Sequence, residues 1–343
     1  MTIASEITRI NNNIASAYTA CNGKGATMPA TQNSANLATC IGSIQTGGGG
    51  GVGITREVSQ SGVFQMPASS FTFSLPSNAT DLGYRALYFA FNGCTGLTSV
   101  DLSSLTSMHG DLACNSAFSG CTNLTSADFS NLTTIGDYSS AKTQLGGAFS
   151  GCTGLTSVDL SSLTAVTSAT GMQNTFNGCT GLTSVDLSSL ETVSGNNSMS
   201  NIFKNCTNLA SINFSNLTTI GNNSSTANTG QFYGAFNGCT GLTSLTFPNL
   251  EKIYCTSNTT GLGNTFSDND NVQKMYFPKL NTITYGSGAS SSNQNGCKYI
   301  FSGCYALTEL HFGAANQSAI EATAGYSTAW GRGAGNVTIY FDL

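Results

Sequence analysis

Residues 91–105 read FNGCTGLTSVDLSSL, and this stretch returns almost unchanged along the 343-residue chain. Asn269 replaces the cysteine in one degenerate copy, which lies around Phe266, and the other copies keep it at Cys94, Cys121, Cys152, Cys179, Cys206, Cys239 and Cys304. Successive copies are separated by 27, 31, 27, 27, 33, 30 and 35 residues. Self-similarity at such a period is the sequence signature of a stacked repeat architecture.

The apolar residues within one copy predict a short strand. Val100 and Leu102 have the period of two that sends both side chains to one face of a strand, and Leu97 and Leu105 lie at turns on either side. A single unit is too small to bury its own apolar face, so neighbouring units must stack. We expect one parallel sheet with about 4.8 Å between strands, with Phe91 and Cys94 pointing into the core.

The segments between copies and the two ends of the array complete this prediction. The spacers vary in length and are rich in Ser, Asn, Thr and Gly, which is typical of loops on one side of a solenoid. Short strands such as 134–135 are expected before some of them. Residues 71–76 read as part of a truncated first coil, and residues 337–341 read as a last strand that closes the exposed sheet edge.

The repeat F-x-G-C-T-x-L-T-S-V-D-L-S-S-L resembles the BspA-like leucine-rich repeats of bacterial surface proteins and their relatives in phage structural proteins. The resemblance covers about residues 85–313. It implies a mainly β fold, a right-handed leucine-rich-repeat solenoid with a parallel sheet. It also implies a role in adhesion to host or cell-surface molecules.

The N-terminal region has a different pattern, which divides the chain into residues 1–46, 47–63 and 64–343. Ile3, Ile7, Ile10 and Ile14 recur at helical spacing, and residues 36–44 suggest a second, shorter helix. The glycine run at 47–51 reads as a flexible linker before the solenoid. Residues 1–46 are similar to N-terminal segments of phage tail proteins, which implies docking on other virion proteins and homo-oligomerisation. The alternative is a rigid cap on the solenoid, which the glycine run disfavours.

Composition narrows the choice of partners. The net charge is −5, the pI is about 4.8, and only 8% of residues are charged. Such a chain offers no basic face for nucleic acid, and no apolar run approaches the roughly 18 residues needed for membrane insertion. The N-terminus lacks the pattern of a secretory signal. We therefore expect a phage virion adhesin or tail-associated protein that binds a host cell-surface glycan or protein. The alternative is a bacterial surface or secreted adhesion protein of the BspA-like type.

One strand position per coil faces out of the predicted sheet and forms a candidate binding surface. Down the array it is occupied by Asp101, Asp128, Asp159, Asp186, Asn213, Thr246, Tyr276 and His311. Clustered carboxylates favour calcium, so one hypothesis is that the aspartates recruit Ca²⁺. The other, which the repetition favours, is a solvated polar stripe without a cofactor.

The last two coils depart most from the repeat and are the second candidate. Lys274, Tyr276, Glu309 and His311 replace small or acidic residues there, and Trp330 follows soon after. Aromatic side chains are enriched where binding energy concentrates. This distal end is therefore predicted to contact the receptor, unless it diverges simply because terminal repeats cap the array.

Neither the cysteines nor the few titratable residues indicate catalysis. The 12 cysteines include no C-x-x-C pair for zinc, and buried free thiols are expected rather than disulfides. The two histidines, His109 and His311, lie in different coils, and no catalytic motif is present. Asp159 and Asp186 could act as paired carboxylates on a glycan. Their recurrence in four coils indicates a structural role instead, so no enzyme is predicted.

Overall fold

The computed structural model describes residues 70–136, 143–222, 230–255, 265–285, 300–323 and 337–343. The predicted helical segment 1–46, the linker 47–63 and the candidate residue Trp330 lie outside these ranges. The described chain is mainly β and forms a solenoid of about eight coils stacked through parallel strands. The predicted fold class is thus confirmed for the repeat region.

The strand predicted in each repeat forms the front of the solenoid. A first strand was expected within residues 71–76 and a last strand within residues 337–341. Both are present, and each pairs in parallel with its neighbour. The front strands are β1 (Phe71–Ser74), β2 (Leu97–Asp101), β4 (Ser126–Asp128), β6 (Ser157–Asp159), β8 (Ser184–Asp186), β10 (Ser211–Asn213), β12 (Ser244–Thr246), β14 (Lys274–Phe277), β16 (Glu309–Phe312) and β17 (Thr338–Phe341).

The expectation of one continuous front sheet was wrong. Strands β1, β2, β4, β6, β8 and β10 form a six-stranded sheet, and β12, β14, β16 and β17 form a separate four-stranded sheet. The break falls in the step of 33 residues between Cys206 and Cys239, which carries an insertion. Apolar stacking continues across it, because Phe214 and Phe247 lie face to face with ring centroids 5.2 Å apart.

A second parallel sheet of seven strands runs along the next side of the coils, with one strand after each front strand from β2 to β14. It contains the strand predicted at 134–135, and each of its central strands buries one apolar side chain. Its strands are β3 (Ser107–Met108), β5 (Thr134–Ile135), β7 (Ala165–Val166), β9 (Thr192–Val193), β11 (Thr219–Ile220), β13 (Lys252–Cys255) and β15 (Thr282–Tyr285). A 3₁₀ turn (Ala314–Asn316) and a short helix, α1 (Gln317–Glu321), follow β16.

The third side of each coil is a ribbon of consecutive turns that ends in the F-x-G-C sequence. Along the ribbon, one backbone N–H donates to a carbonyl of its own coil, and the following N–H donates to a carbonyl of the next coil. Ala86 N–H donates to the Gly83 carbonyl within the coil, whereas Leu87 N–H donates to the Ala113 carbonyl of the next coil at 2.7 Å. This alternation satisfies the backbone without a helix or a regular strand.

Phenylalanines of the repeat form the centre of the core, as predicted for Phe91. Their rings stack nearly parallel, with centroids 5.1–6.0 Å apart along Phe91, Phe118, Phe149, Phe176, Phe203 and Phe236. All of these side chains are buried. Each ring therefore finds its best partners in the coils above and below it.

The repeat cysteines line the core as buried free thiols, as predicted. The cysteines at Cys94, Cys114, Cys121, Cys152, Cys179, Cys206, Cys239 and Cys304 are all buried, and none of them forms a disulfide. Each thiol from Cys121 to Cys239 donates a hydrogen bond of 3.0–3.1 Å to the carbonyl of the phenylalanine one coil earlier. Burial raises the pKa of Cys152 and of Cys206 to about 12, so these thiols remain protonated and unreactive.

Several positions of the turn ribbon require a left-handed backbone. One such position is held by Gly147 and Gly234 in two coils, but by Ser116, with φ of 51°, in another. A side chain in this conformation costs roughly 1 kcal/mol or more relative to glycine.

We expect the substitution Ser116→Gly to raise the free energy of unfolding by about 1 kcal/mol, because it relieves this strain. Ser116→Ala is the matched control. It deletes the same hydroxyl, which makes only a 3.3 Å bond to Asn115 Oδ1, but it keeps the Cβ. Urea unfolding of both variants measures the difference, and equal stabilities would contradict this account of the strain.

Candidate functional site

The outward positions of the front strands lie in register and form one surface, here called the ladder face. In the six-stranded sheet, each residue is paired with its counterpart in the next coil through Asp101, Asp128, Asp159, Asp186 and Asn213. In the four-stranded sheet, Thr246, Tyr276, His311 and Tyr340 are paired in the same way. The predicted alignment of these residues is therefore present, interrupted between Asn213 and Thr246.

Each aspartate of the ladder also shapes its own coil. Asp159 Oδ1 accepts hydrogen bonds from the backbone N–H and the hydroxyl of Ser161, at 3.0 and 2.7 Å. Asp101 makes the same two bonds with Ser103, and Asp128 and Asp186 accept from the backbone two residues on. Asn213 does so through its amide oxygen, at 3.1 Å from the backbone nitrogen of Ser215. The D-L-S-S sequence is thus an Asx turn that bends the chain out of the strand.

A row of serines lies beside the aspartates on the ladder face. Ser126, Ser157, Ser184 and Ser211 each begin a front strand and stand two residues before the ladder position. Two shallow, open depressions lie over this Ser and Asp surface, one between β4 and β6 and the other between β8 and β10. The surface can offer hydroxyl and carboxylate groups at regular intervals, but it encloses no small molecule.

Calcium binding by the aspartates stays a hypothesis, and the solvated polar stripe without a cofactor stays the prediction. Among the described residues, no group of three or more His, Cys, Asp or Glu side chains is arranged to hold a metal ion. Each ladder coil contributes a single carboxylate, and one of its oxygens already belongs to an Asx turn. A melting temperature that is unchanged by added calcium would contradict the cation hypothesis.

We expect Asp159→Ala to lower the free energy of unfolding by about 1 kcal/mol, because it removes an acceptor comparable to a helix N-cap. Asp159→Asn should preserve the turn, as Asn213 does, and remove like-charge repulsion of about 1 kcal/mol at most from each neighbouring carboxylate. Denaturant titrations at low and high salt measure both effects. If Asn were as damaging as Ala, the structural role assigned to this carboxylate would be wrong.

The distal end of the ladder face contains a cluster of stacked and charged side chains. This distal cluster consists of Lys274, Tyr276, Glu309, His311, Tyr340 and Asp342. His311 lies between the two tyrosines, with ring centroids 4.7 Å from Tyr276 and 4.6 Å from Tyr340. Because the ring faces next to His311 are used within the stack, the cluster presents ring edges and phenol groups outward.

Charges surround His311 on both sides of its ring. Its Nε2 lies 2.9 Å from Glu309 Oε2, and its Nδ1 lies 2.9 Å from Asp342 Oδ1. Lys274 Nζ is 3.0 Å from the same Glu309 oxygen. The His311 side chain is only 12% exposed, whereas that of Asp342 is 49% exposed. The structure thus joins Lys274, Tyr276, Glu309 and His311, all predicted as site residues.

These contacts shift the titration of the cluster. Burial by itself lowers the pKa of His311, but hydrogen bonds to Glu309 and Asp342 outweigh it, and the net pKa is raised. The hydrogen bonds from His311 and Lys274 lower the pKa of Glu309, and the Glu309 carboxylate raises the pKa of Lys274. With His311 and Lys274 protonated and both carboxylates ionised, the cluster has two positive and two negative charges and is locally neutral.

Two members of the distal cluster were not predicted as site residues. Tyr340 lies on β17, which was recognised only as an edge strand, and Asp342 follows it near the end of the chain. The signal was available, because residues 338–341 (TIYF) align with residues 309–312 (ELHF) and place Tyr340 at the ladder position. The sequence gives no comparable sign of Asp342, which reaches His311 from outside the strand.

The described residues show no arrangement suited to catalysis. His109 bonds Asp81 at 3.0 Å, whereas His311 belongs to the distal cluster. Asp159 and Asp186 are neighbours on an open sheet surface, with one oxygen of each in an Asx turn. No helix in the described part of the chain is both long and apolar enough to cross a membrane.

Comparisons with known proteins agree with this architecture. Six copies of the BspA type leucine rich repeat region match residues 60–147 and 146–232, about half of the chain. No curated protein matches the sequence.

Solved structures of leucine-rich repeat proteins are similar over most of this chain. A leucine-rich repeat protein from Bacteroides ovatus is 15% identical, with a TM-score of 0.35, over 71% of this chain and 63% of its own. The T. pallidum leucine-rich repeat protein is 20% identical, with a TM-score of 0.34, over 69% and 78%. An internalin from Listeria monocytogenes is 17% identical, with a TM-score of 0.21, over 74% and 69%. The chain therefore spans less than two thirds of the length of the B. ovatus protein.

Proposed function

This chain belongs to the BspA-type leucine-rich repeat family, and we propose that it is a non-enzymatic binding protein whose ladder face contacts a cell-surface glycan or protein. The observation that carries this proposal is the outward alignment of polar and aromatic side chains along the front sheets. A surface of this kind fits an extended or repetitive ligand better than a small one. Leucine-rich-repeat solenoids are typical of binding or scaffold proteins rather than enzymes.

The two parts of the ladder face have different roles in this proposal. The aspartate coils repeat one weak contact, and repeated weak contacts to a multivalent surface add up to avidity. The distal cluster does not repeat, because each of its coils contributes different side chains. We therefore assign the specificity of binding to it. It contains two tyrosines, a residue type enriched at binding hot spots.

The setting that we propose is a phage virion, with residues 1–46 attached to other virion proteins and the solenoid presented to the host. The ground for this setting is the resemblance to phage tail segments that we infer from the sequence of residues 1–46. The alternative is the surface of a bacterium, which membership of the BspA-type family supports at least as well. Homo-oligomerisation through residues 1–46 belongs to the virion proposal.

Binding of the full chain to glycan and cell-surface protein arrays tests the role of the ladder face. For the strongest ligand found, we expect Tyr276→Ala to weaken binding about tenfold, a loss of about 1.4 kcal/mol, because it removes a hot-spot side chain and breaks the ring stack. Tyr276→Phe keeps the stack and isolates the phenol hydroxyl.

The matched control is Tyr233→Ala, which removes a 41% exposed tyrosine from the turn ribbon. It should bind like the unaltered chain. Equal losses for Tyr233→Ala and Tyr276→Ala would argue for a general effect on folding, and no loss for Tyr276→Ala would remove the distal cluster from the binding surface.

Mass spectrometry of purified phage particles and of bacterial envelope fractions distinguishes the two settings. We expect the chain at a fixed stoichiometry in particles. Its absence from particles, together with recovery from the envelope, would replace the virion proposal with the bacterial one. Neither result bears on the binding role of the ladder face, so the two proposals can fail separately.

A further inference from the structure

Both ring nitrogens of His311 face a carboxylate. Nε2 lies 2.9 Å from Glu309, and Nδ1 lies 2.9 Å from Asp342. A neutral imidazole has one N–H and one lone pair, so it can donate to only one of these carboxylates. Only the imidazolium donates to both, so the protonated ring is the state that satisfies both contacts.

The two carboxylates come from different coils. Glu309 is the first residue of β16, whereas Asp342 directly follows β17, the last strand. Within the described residues, β17 pairs with β16 alone. Beyond β17, the backbone is attached to the preceding coil by bonds from Leu343 N–H to Phe312 and from Ala314 N–H to Leu343, at 3.3 and 3.1 Å. The bridge through His311 therefore fastens the end of a strand that has support on one side.

We propose that His311 is a pH-operated clamp, whose protonated ring holds Asp342 and with it the C-terminal end of β17 against β16. When the ring gives one proton to solvent, one nitrogen becomes an acceptor, and the carboxylate facing it loses its donor. Glu309 retains Lys274 at 3.0 Å and lies in the more buried position, with 26% of its side chain exposed. Asp342, which is 49% exposed, is therefore the carboxylate that is released.

The groups that face His311 are consistent with this direction. β14 contributes Lys274 and Tyr276, β16 contributes Glu309, and Tyr340 and Asp342 come from β17 and the residue after it. The carboxylates outweigh burial and raise the pKa of His311. Stability from a raised pKa is fully present below the ordinary histidine value of about 6.5 and is lost as the pH rises through the raised value. The clamp is thus lost as the pH rises, not as it falls.

The lowered pKa of Glu309 acts in the opposite direction. Its contribution to stability is present above the ordinary pKa of a glutamate, and it is lost only in acid. The clamp is consequently strongest in the interval between the titrations of Glu309 and His311. This device is a property of the fold, and it holds whether or not the ladder face binds a ligand.

Hydrogen exchange of the full chain, followed by mass spectrometry, tests the clamp. Exchange is measured between about pH 5 and about pH 9, which brackets the ordinary histidine pKa, and is corrected for the intrinsic pH dependence of amide exchange. We expect peptides covering 338–343 to lose protection several-fold on the alkaline side. Peptides covering β6 and β8 should keep theirs, because His311 does not touch them.

Three variants separate the clamp from other effects. His311→Phe keeps an aromatic ring in the stack, but this ring has no group that titrates. Asp342→Asn keeps an oxygen acceptor but removes the negative charge, so its interaction with the His311 ring depends much less on the protonation of that ring. Both should abolish or strongly reduce the alkaline loss. His109→Gln removes the only other histidine of the sequence and should leave the loss unchanged.

The outcomes are decisive in both directions. A loss that follows the titration of the His311 ring in NMR spectra, and that disappears in His311→Phe or in Asp342→Asn, supports the clamp. Unchanged protection of 338–343 in the unaltered chain would overturn it. The same alkaline loss in Asp342→Asn would also overturn it, and this second variant serves even if His311→Phe unfolds the last coil.

Discussion

Every coil of this solenoid lies one hydrogen-bonded strand spacing from the next, and this constraint determines which side chains the repeat can use. A residue at a given position is packed against the residue at the same position in the neighbouring coils. A side chain that packs favourably against its own copy therefore stabilises the contact between every pair of neighbouring coils. Phenylalanine stacks on phenylalanine, and the cysteine thiol fits a slot where it reaches the carbonyl of the preceding coil. Thr125 and Thr156 likewise donate to the threonine carbonyl one coil earlier, at 3.0 and 3.1 Å.

The same constraint penalises like charges, yet four aspartates share one column. Their repulsion, about 1 kcal/mol for charges a few ångströms apart in water, is offset locally because each carboxylate closes an Asx turn. The distal part of the ladder face avoids the repulsion altogether. There, oppositely charged groups of neighbouring strands are paired, as in Lys274 with Glu309, and His311 separates two neutral rings. The change from repetition to complementarity coincides with the break in the front sheet.

Much of this architecture is predictable from the repeat itself. The period-two Val100 and Leu102, the inward Phe91 and Cys94 and the outward ladder register all follow from local pattern and stacking. What could not be predicted depends on geometry between coils. The break after β10 does not follow from repeat length, because the longer step of 35 residues between Asn269 and Cys304 leaves the four-stranded sheet intact. The thiol bonds to phenylalanine carbonyls depend on how the turn ribbons of neighbouring coils stack. The distal residues were found because they depart from the repeat. Asp342 was not found, because its partner is 31 residues away and outside the strand pattern.

A quasi-one-dimensional fold also explains why a regulated contact belongs at an end of the array. An internal coil is held by two neighbours, so the loss of one side-chain bridge changes its local stability little compared with the backbone and core contacts that remain. Among the described residues, β17 has those contacts on one side only, and Val337, Ile339 and Phe341 are only partly buried against the core. Local opening free energies are lowest where contacts are fewest. A bridge with the free energy of a single charge pair can therefore determine whether the end of β17 stays against β16. The same bridge in the middle of the solenoid would change the local stability little.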